Sequence, residues 1–94
     1  MPKAYVLITE AIHDPEGMKA YGAKAAQAMG DARVLAVDAD PEVLEGDPPG
    51  GRAVLLEFAS PEAARAWYSS PEYQAAIPLR QAAANSTALL ITGL

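Results

Sequence analysis

Ninety-four residues, 51% of them hydrophobic, 20% charged and none of them cysteine, make one small domain with a limited core. The net charge is −5 and the seven basic residues are scattered from Lys3 to Arg80, which argues against nucleic-acid binding, since phosphate contacts need clustered Lys and Arg. The absence of Cys excludes disulfides, thiolate nucleophiles and Cys metal sites.

The chain opens on Met-Pro-Lys and then a β-branched, aliphatic run, Ala4 to Ile12, with one interior charge at Glu10. Both alternating faces of the run are largely apolar, which predicts a central strand covered on both sides. The run Ala4 to Ile8 is too short for a membrane span and has no signal-peptide cleavage pattern, so the expectation is a soluble, cytoplasmic protein with no membrane partner.

Asp14-Pro15-Glu16 is a helix start: a capping acceptor, a proline where no N–H is needed, and an acid near the positive end of the dipole. Met18, Tyr21, Ala25, Ala28 and Met29 then share one face, and Gly30 is a terminator. Gly17 and Gly22 each cost this helix roughly 1 kcal/mol relative to Ala, so they mark either close packing or weak selection.

Arg33 to Val37 predicts a second strand. Asp40-Pro41-Glu42 repeats the earlier helix-start tripeptide, but only Val43, Leu44 and Glu45 follow before Gly46, so no amphipathic face can develop. Val43 to Glu45 reads as a strand continuation, or an edge strand after a bulge. Gly46 to Gly51 (GDPPGG) is a turn, and Ala53 to Phe58 is a third strand, apolar on both faces except for Glu57.

Ser60-Pro61-Glu62 and Ser70-Pro71-Glu72 are two helix starts ten residues apart. Ala63, Ala64 and Trp67 share a face of the first helix; Tyr73, Ala76, Ile77 and Arg80 share a face of the second. Pro78 is expected to kink or split that second helix. Thr87 to Leu94 is the last strand.

The order strand, helix, strand, strand, helix pair, strand suits an α+β, ferredoxin-like βαββαβ fold: a four-stranded antiparallel sheet with helices on one face, as one domain over residues 1–94. Strands one, three and four are apolar on both faces, yet the helices can cover only one. Burial is worth about 25 cal/mol per Å² of apolar area, so the open face predicts a homodimer through packed sheets.

Glu62-Ala63-Ala64-x-Ala66-Trp67-Tyr68-x-Ser70-Pro71-Glu72-Tyr73-Gln74 with Leu79-Arg80 resembles domain of unknown function family 1330, of the dimeric α/β-barrel superfamily. Val43-Leu44-Glu45-Gly46 and Asp14-Pro15-Glu16 with Tyr21 are similar to that family too. The resemblance implies a ferredoxin-like subunit and a dimer whose sheets form a barrel, but no established activity. The wider superfamily includes small monooxygenases, haem-degrading enzymes and isomerases, and fold does not carry function. Asp38-Ala39-Asp40 stands where many members have a Gly-rich, Arg-containing segment.

No motif identifies a reaction, and neither a metal site nor a cofactor is expected. His13, the only His, is a candidate general base or an idle residue outside the helix cap. Glu57 and, behind it, Glu10 are candidate acid–base carboxylates if an apolar cavity surrounds them, and otherwise edge or interface residues. Tyr21, Trp67, Tyr68 and Tyr73 are packing residues or pocket walls. Tyr68 stands about 100° round the helix from Trp67, so both cannot point fully inward. Arg52 and Arg80 form ion pairs, Arg80 with Glu72, Glu62 or Glu57, or hold an anionic ligand. Three functions remain open. The first is a homodimer with a small-molecule pocket. The second is a cofactor-free enzyme of the monooxygenase or isomerase kind, with His13 or Glu57 as base. The third is a structural dimer module.

Overall fold

The computed structural model describes residues 2–48 and 50–94. Seven elements follow one another: β1 (Ala4–Ile12), α1 (Pro15–Gln27), β2 (Arg33–Asp38), β3 (Arg52–Phe58), α2 (Pro61–Ser69), α3 (Pro71–Ala83) and β4 (Ala84–Thr92). The strands form one sheet in the order β2-β3-β1-β4, with every neighbour antiparallel. This is the ferredoxin-like α+β arrangement that the element order predicts.

The three helix starts work as their residue types require. Asp14 Oδ1 accepts from the Gly17 N–H at 3.2 Å, Ser60 Oγ from the Ala63 N–H at 3.1 Å, and Ser70 Oγ from the Tyr73 N–H at 3.2 Å. Ser70 also donates its hydroxyl to the Trp67 carbonyl at 2.8 Å, so one side chain closes α2 and opens α3. That double cap lets the chain turn between two helices within a single residue.

Two expectations need correction. Pro78 does not split α3, which runs as one helix from Pro71 to Ala83. Pro78 cannot donate to the Gln74 carbonyl, and both residues lie on the exposed side of α3, while Tyr73, Ala76, Ile77 and Arg80 stay on the buried side. Val43 to Glu45 form no strand. Asp38 ends β2 and turns the chain by accepting the Asp40 N–H on its own Oδ1 at 3.0 Å; Pro41 then supplies no ladder donor. The only bulge of the β2–β3 pair lies earlier, between Val34 and Ala36.

Register sorts the residues onto two faces. Ala4, Val6, Ile8 and Glu10 of β1 pair with Phe58, Leu56, Val54 and Arg52 of β3, and this face carries the helices. Tyr73, Ala76, Ala64 and Ala4 there have no exposed surface. The opposite face holds Tyr5, Leu7 and Thr9 against Glu57, Leu55 and Ala53, with Leu89 and Ile91 of β4 beside them. No helix covers it, and Leu89 is 58% and Ile91 44% exposed. The last strand begins at Ala84, three residues before the expected start, because α3 passes into β4 without a loop.

The two helical glycines of α1 differ in cause. A Cβ on Gly17 would meet Asp14 Oδ2 at 2.7 Å and the Ala83 Cβ at 3.0 Å, so Gly17 permits the close contact of α1 with the end of α3. A Cβ on Gly22 would meet nothing within 4 Å.

Candidate functional site

A cavity of about 330 Å³ lies between α1 and the helix-bearing face of the sheet, open to solvent on the β2 side, where Val34 and Val37 are more than half exposed. Its wall is mostly aliphatic, and four polar side chains reach it from four elements: Glu10 of β1, Arg52 of β3, Tyr21 of α1 and Tyr73 of α3. Trp67 of α2 and the exposed Gly22 of α1 border it as well.

Glu10 and Arg52 face each other because the β1–β3 register pairs them. Arg52 donates from Nε at 2.9 Å and from Nη2 at 2.7 Å, and both bonds converge on Glu10 Oε1. Oε2 has no hydrogen bond among the described residues. Glu10 is 1% exposed, and Arg52 keeps a third of its side chain in solvent. The pair is therefore a buried carboxylate held by a cation at the cavity's edge, an arrangement in which losing either partner leaves a costly lone charge. Gly51 makes the approach possible. Its φ is +81°, and a Cβ there would overlap the backbone of Glu10 and Ala11.

The second polar group is a chain of three side chains. The Tyr21 and Tyr73 hydroxyls are 2.7 Å apart, and Arg80 donates from Nη1 to the Tyr73 oxygen at 2.9 Å. The Arg80 guanidinium also lies 5.8 Å from the centre of the Tyr21 ring, within cation–π range. Arg80 is 4% exposed and Tyr73 not exposed at all. Burial is the main reason the Tyr73 hydroxyl titrates far above the usual phenol range; its bond to Tyr21 raises it further, and Arg80, which pulls the other way, is outweighed. Tyr73 is thus a neutral phenol.

Proton counting around the pair is informative. Tyr73 accepts from Arg80, and one of the two hydroxyls donates to the other. Two phenolic protons serve one bond, so one is uncommitted whichever way the pair is oriented. Two more buried donors, Arg80 Nε and Trp67 Nε1, lack any acceptor among the described residues.

The expected base residues are elsewhere. Glu57 lies opposite Tyr5 on the face without helices, since the strand period gives the helix side to Leu56 and Phe58. It sits 3.6 Å from both Lys3 Nζ and Arg33 Nη1. His13 is exposed, outside the cavity described above, and its backbone N–H bonds the Ala83 carbonyl at 3.0 Å. The carboxylate in the cavity is Glu10. Arg80 makes no ion pair with Glu72, Glu62 or Glu57, correcting that expectation; its partner is a tyrosine. Trp67 is buried, with its ring 4.1 Å from Tyr73 and 5.2 Å from Phe58, centre to centre. Tyr68 is the half of that pair that turns outward: 40% exposed, it borders a shallow cleft with Arg65 and Leu89.

On the other face, a second concavity of about 540 Å³ lies between Leu7, Thr9 and Ala53 of the sheet and the loop carrying Pro41, Val43 and Leu44. Thr9 and Thr87 join hydroxyls on this face. Among the described residues, no group of His, Cys, Asp and Glu has the arrangement to hold a metal ion, and no helix is long and apolar enough to cross a membrane.

Together, the sheet order, the helices on one face and the cavity beneath them define a ferredoxin-like α+β protein. Residues 3–94 match the family model described as Domain of unknown function (DUF1330), and the chain belongs to that family. Solved structures share the fold at low identity. A protein of unknown function from Rhodopseudomonas palustris is 20% identical, with a TM-score of 0.76 over 99% of this chain and 83% of that one. A dimeric ferredoxin-like protein of unknown function from Thermobifida fusca is 14% identical, with a TM-score of 0.66 over 97% and 91%. SnoaB, a cofactor-independent oxygenase from Streptomyces nogalater, is 14% identical, with a TM-score of 0.69 over 100% and 95%. No curated protein matches the chain.

Proposed function

We propose that the protein binds a small organic molecule in the cavity between α1 and the sheet. One observation carries this reading: polar residues from four separate elements, Glu10, Arg52, Tyr21 and Tyr73, border one otherwise apolar cleft of about 330 Å³. A chamber serving only packing would be filled by side chains or lined without such groups, because each buried polar group costs stability unless it is partnered. Gly22 of α1 borders the same cleft at an exposed position where an added Cβ meets nothing within 4 Å.

Gly22 also provides the test. Gly22→Leu replaces a poor helix former and places an apolar side chain at the cavity wall. The variant is expected to be more stable than the parent by about 0.5–1 kcal/mol. It is also expected to lose binding of small alicyclic or aromatic acids, followed by fluorescence of the only tryptophan, Trp67, which borders the cavity. Undiminished binding in Gly22→Leu would place the ligand elsewhere.

A second reading, a cofactor-free enzyme of the oxygenase or isomerase kind, is favoured by Glu10. Its Oε2 is an unengaged acceptor at the same cavity as the uncommitted phenolic proton. An acceptor and a donor so placed suit proton abstraction from an acidic C–H or O–H: the proton passes to Glu10, and the electron pair left on the ligand oxygen is held by the tyrosine. SnoaB gives this fold a cofactor-independent oxygenase. In this reading Glu10→Gln binds ligand and does not turn it over.

The homodimer belongs to the same proposal. Leu7, Leu55, Leu89 and Ile91 form an apolar sheet face that no helix covers, and a ferredoxin-like structural neighbour is dimeric. Packing two such faces together removes both from water.

A further inference from the structure

We infer that the cavity's ligand is an organic monoanion, its oxyanion received by the Tyr21–Tyr73 pair with Arg80 behind it. The inference rests on the ligand-binding reading and adds the ligand's charge. Glu10 and Arg52 neutralise one another. Arg80 is the remaining buried charge: 4% exposed, it has no carboxylate within ion-pair distance among the described residues, and its bonded acceptor is a neutral phenol. A lone buried cation is unfavourable unless an anion joins it.

The hydrogen-bond inventory leans the same way. Three buried donors have no acceptor, Arg80 Nε, Trp67 Nε1 and one hydroxyl proton of the tyrosine pair, against one unengaged acceptor, Glu10 Oε2, whose charge Arg52 already offsets. Of these donors, the hydroxyl proton is the one that a ligand meets: when Tyr73 donates to Tyr21, the Tyr21 proton is left free, and Tyr21 keeps 6% of its surface exposed. Arg80 does not form the cavity wall, whereas Tyr21 and Tyr73 do. The charge therefore acts through the phenols. Arg80 bonds the Tyr73 oxygen and polarises the pair, and the free phenolic proton becomes a strong donor towards the chamber. Arg80 and the fully covered Tyr73 are positioning residues, and Tyr21 is the contact. The aliphatic wall asks for an apolar body behind the oxyanion, which a carboxylate on a ring or an enolate of similar size supplies.

The test compares cyclohexanecarboxylate with cyclohexanecarboxamide on the intact protein at neutral pH, read by Trp67 fluorescence and checked by calorimetry. The two probes have the same shape and differ in charge. The carboxylate is expected to bind at least about tenfold more tightly, the difference expected of a charge-assisted bond in a buried site. Tyr21→Phe, which leaves Arg80 and Tyr73 joined, should shrink that ratio several-fold, and Arg80→Met should abolish it. Where Arg80→Met does not fold, Tyr21→Phe and Arg80→Lys carry the test, the lysine variant retaining part of the preference. Equal binding of the two probes, both lost in Gly22→Leu, would overturn the monoanion while leaving the ligand site intact. Binding of neither probe at millimolar concentration would overturn both.

Discussion

The phenolic oxygens of Tyr21 and Tyr73 stand 2.7 Å apart, although 52 positions separate them in the chain. The contact ties α1 to α3 across the top of the cavity, and Arg80 makes it asymmetric by bonding only the Tyr73 oxygen. Removing the two hydroxyls is therefore not equivalent. Tyr21→Phe leaves the Arg80–Tyr73 bond in place and should cost about 0.5–1.5 kcal/mol. Tyr73→Phe strips Arg80 of its bonded acceptor and should cost more, about 1.5–3 kcal/mol. Urea unfolding of both variants measures the order, and equal losses would mean that Arg80 finds another acceptor.

Tyr73 also ties stability to alkaline pH. Its folded-state titration lies above that of an unfolded phenol, near 10, chiefly because it is buried. Above that pH the unfolded chain gives up a proton that the folded chain retains, and so unfolding becomes progressively easier. The contribution is complete below about pH 10 and is lost as pH rises beyond it. Stability measured from pH 9 to 11 should fall more steeply in the parent than in Tyr73→Phe. Parallel curves would show that Tyr73 ionises freely in the folded protein.

Glu10 and Arg52 make a pair whose removal depends on how it is done. Arg52→Met leaves Glu10 buried without its cation and should cost roughly 3 kcal/mol, the low end for a broken buried pair because Arg52 is partly solvated. The double variant Glu10→Leu with Arg52→Met replaces both by apolar groups and should recover most of that loss. Thermal and urea denaturation of the single and double variants closes the cycle. A double variant no more stable than Arg52→Met would mean that the pair holds the fold rather than burdening it.

Much of this arrangement is legible in the residues, and the reason is local. Asp14, Ser60 and Ser70, each followed by Pro and Glu, announce helix starts that depend only on neighbouring backbone, and all three cap as read. The uncovered sheet face was legible as well, since alternation in Ala4–Ile12 and Ala53–Phe58 leaves apolar side chains on both sides. The site was legible only in its parts. Tyr21, Tyr73, Arg52 and Arg80 stand out as residue types, but what they touch is set by register and helix contact. Glu57 and Glu10 look alike as isolated acids in apolar strands. Which one meets the cavity depends on which face receives the helices. The sign that could have separated them is the pairing of β1 with β3, which sets Glu10 against Arg52 and Glu57 against Tyr5. Pro78 misleads for a similar reason: its cost depends on which side of the helix it falls, and here it falls on the exposed side.

The open face gives the last prediction. Leu89 is 58% exposed on β4, beside Leu7 of β1, on the side away from the helices. In an isolated subunit Leu89→Arg changes a solvent-facing position and should alter stability by no more than about 0.5 kcal/mol. In a dimer built on this face it buries two unpaired cations against apolar surface, which the interface cannot accommodate. Light scattering at micromolar concentration is therefore expected to find the parent protein as a dimer and Leu89→Arg as a folded monomer. Circular dichroism should show the same secondary structure in both. A stable parent monomer at that concentration would remove the dimer. A Leu89→Arg variant that still dimerises would move the interface to another surface, leaving the cavity on the helix side untouched by either result.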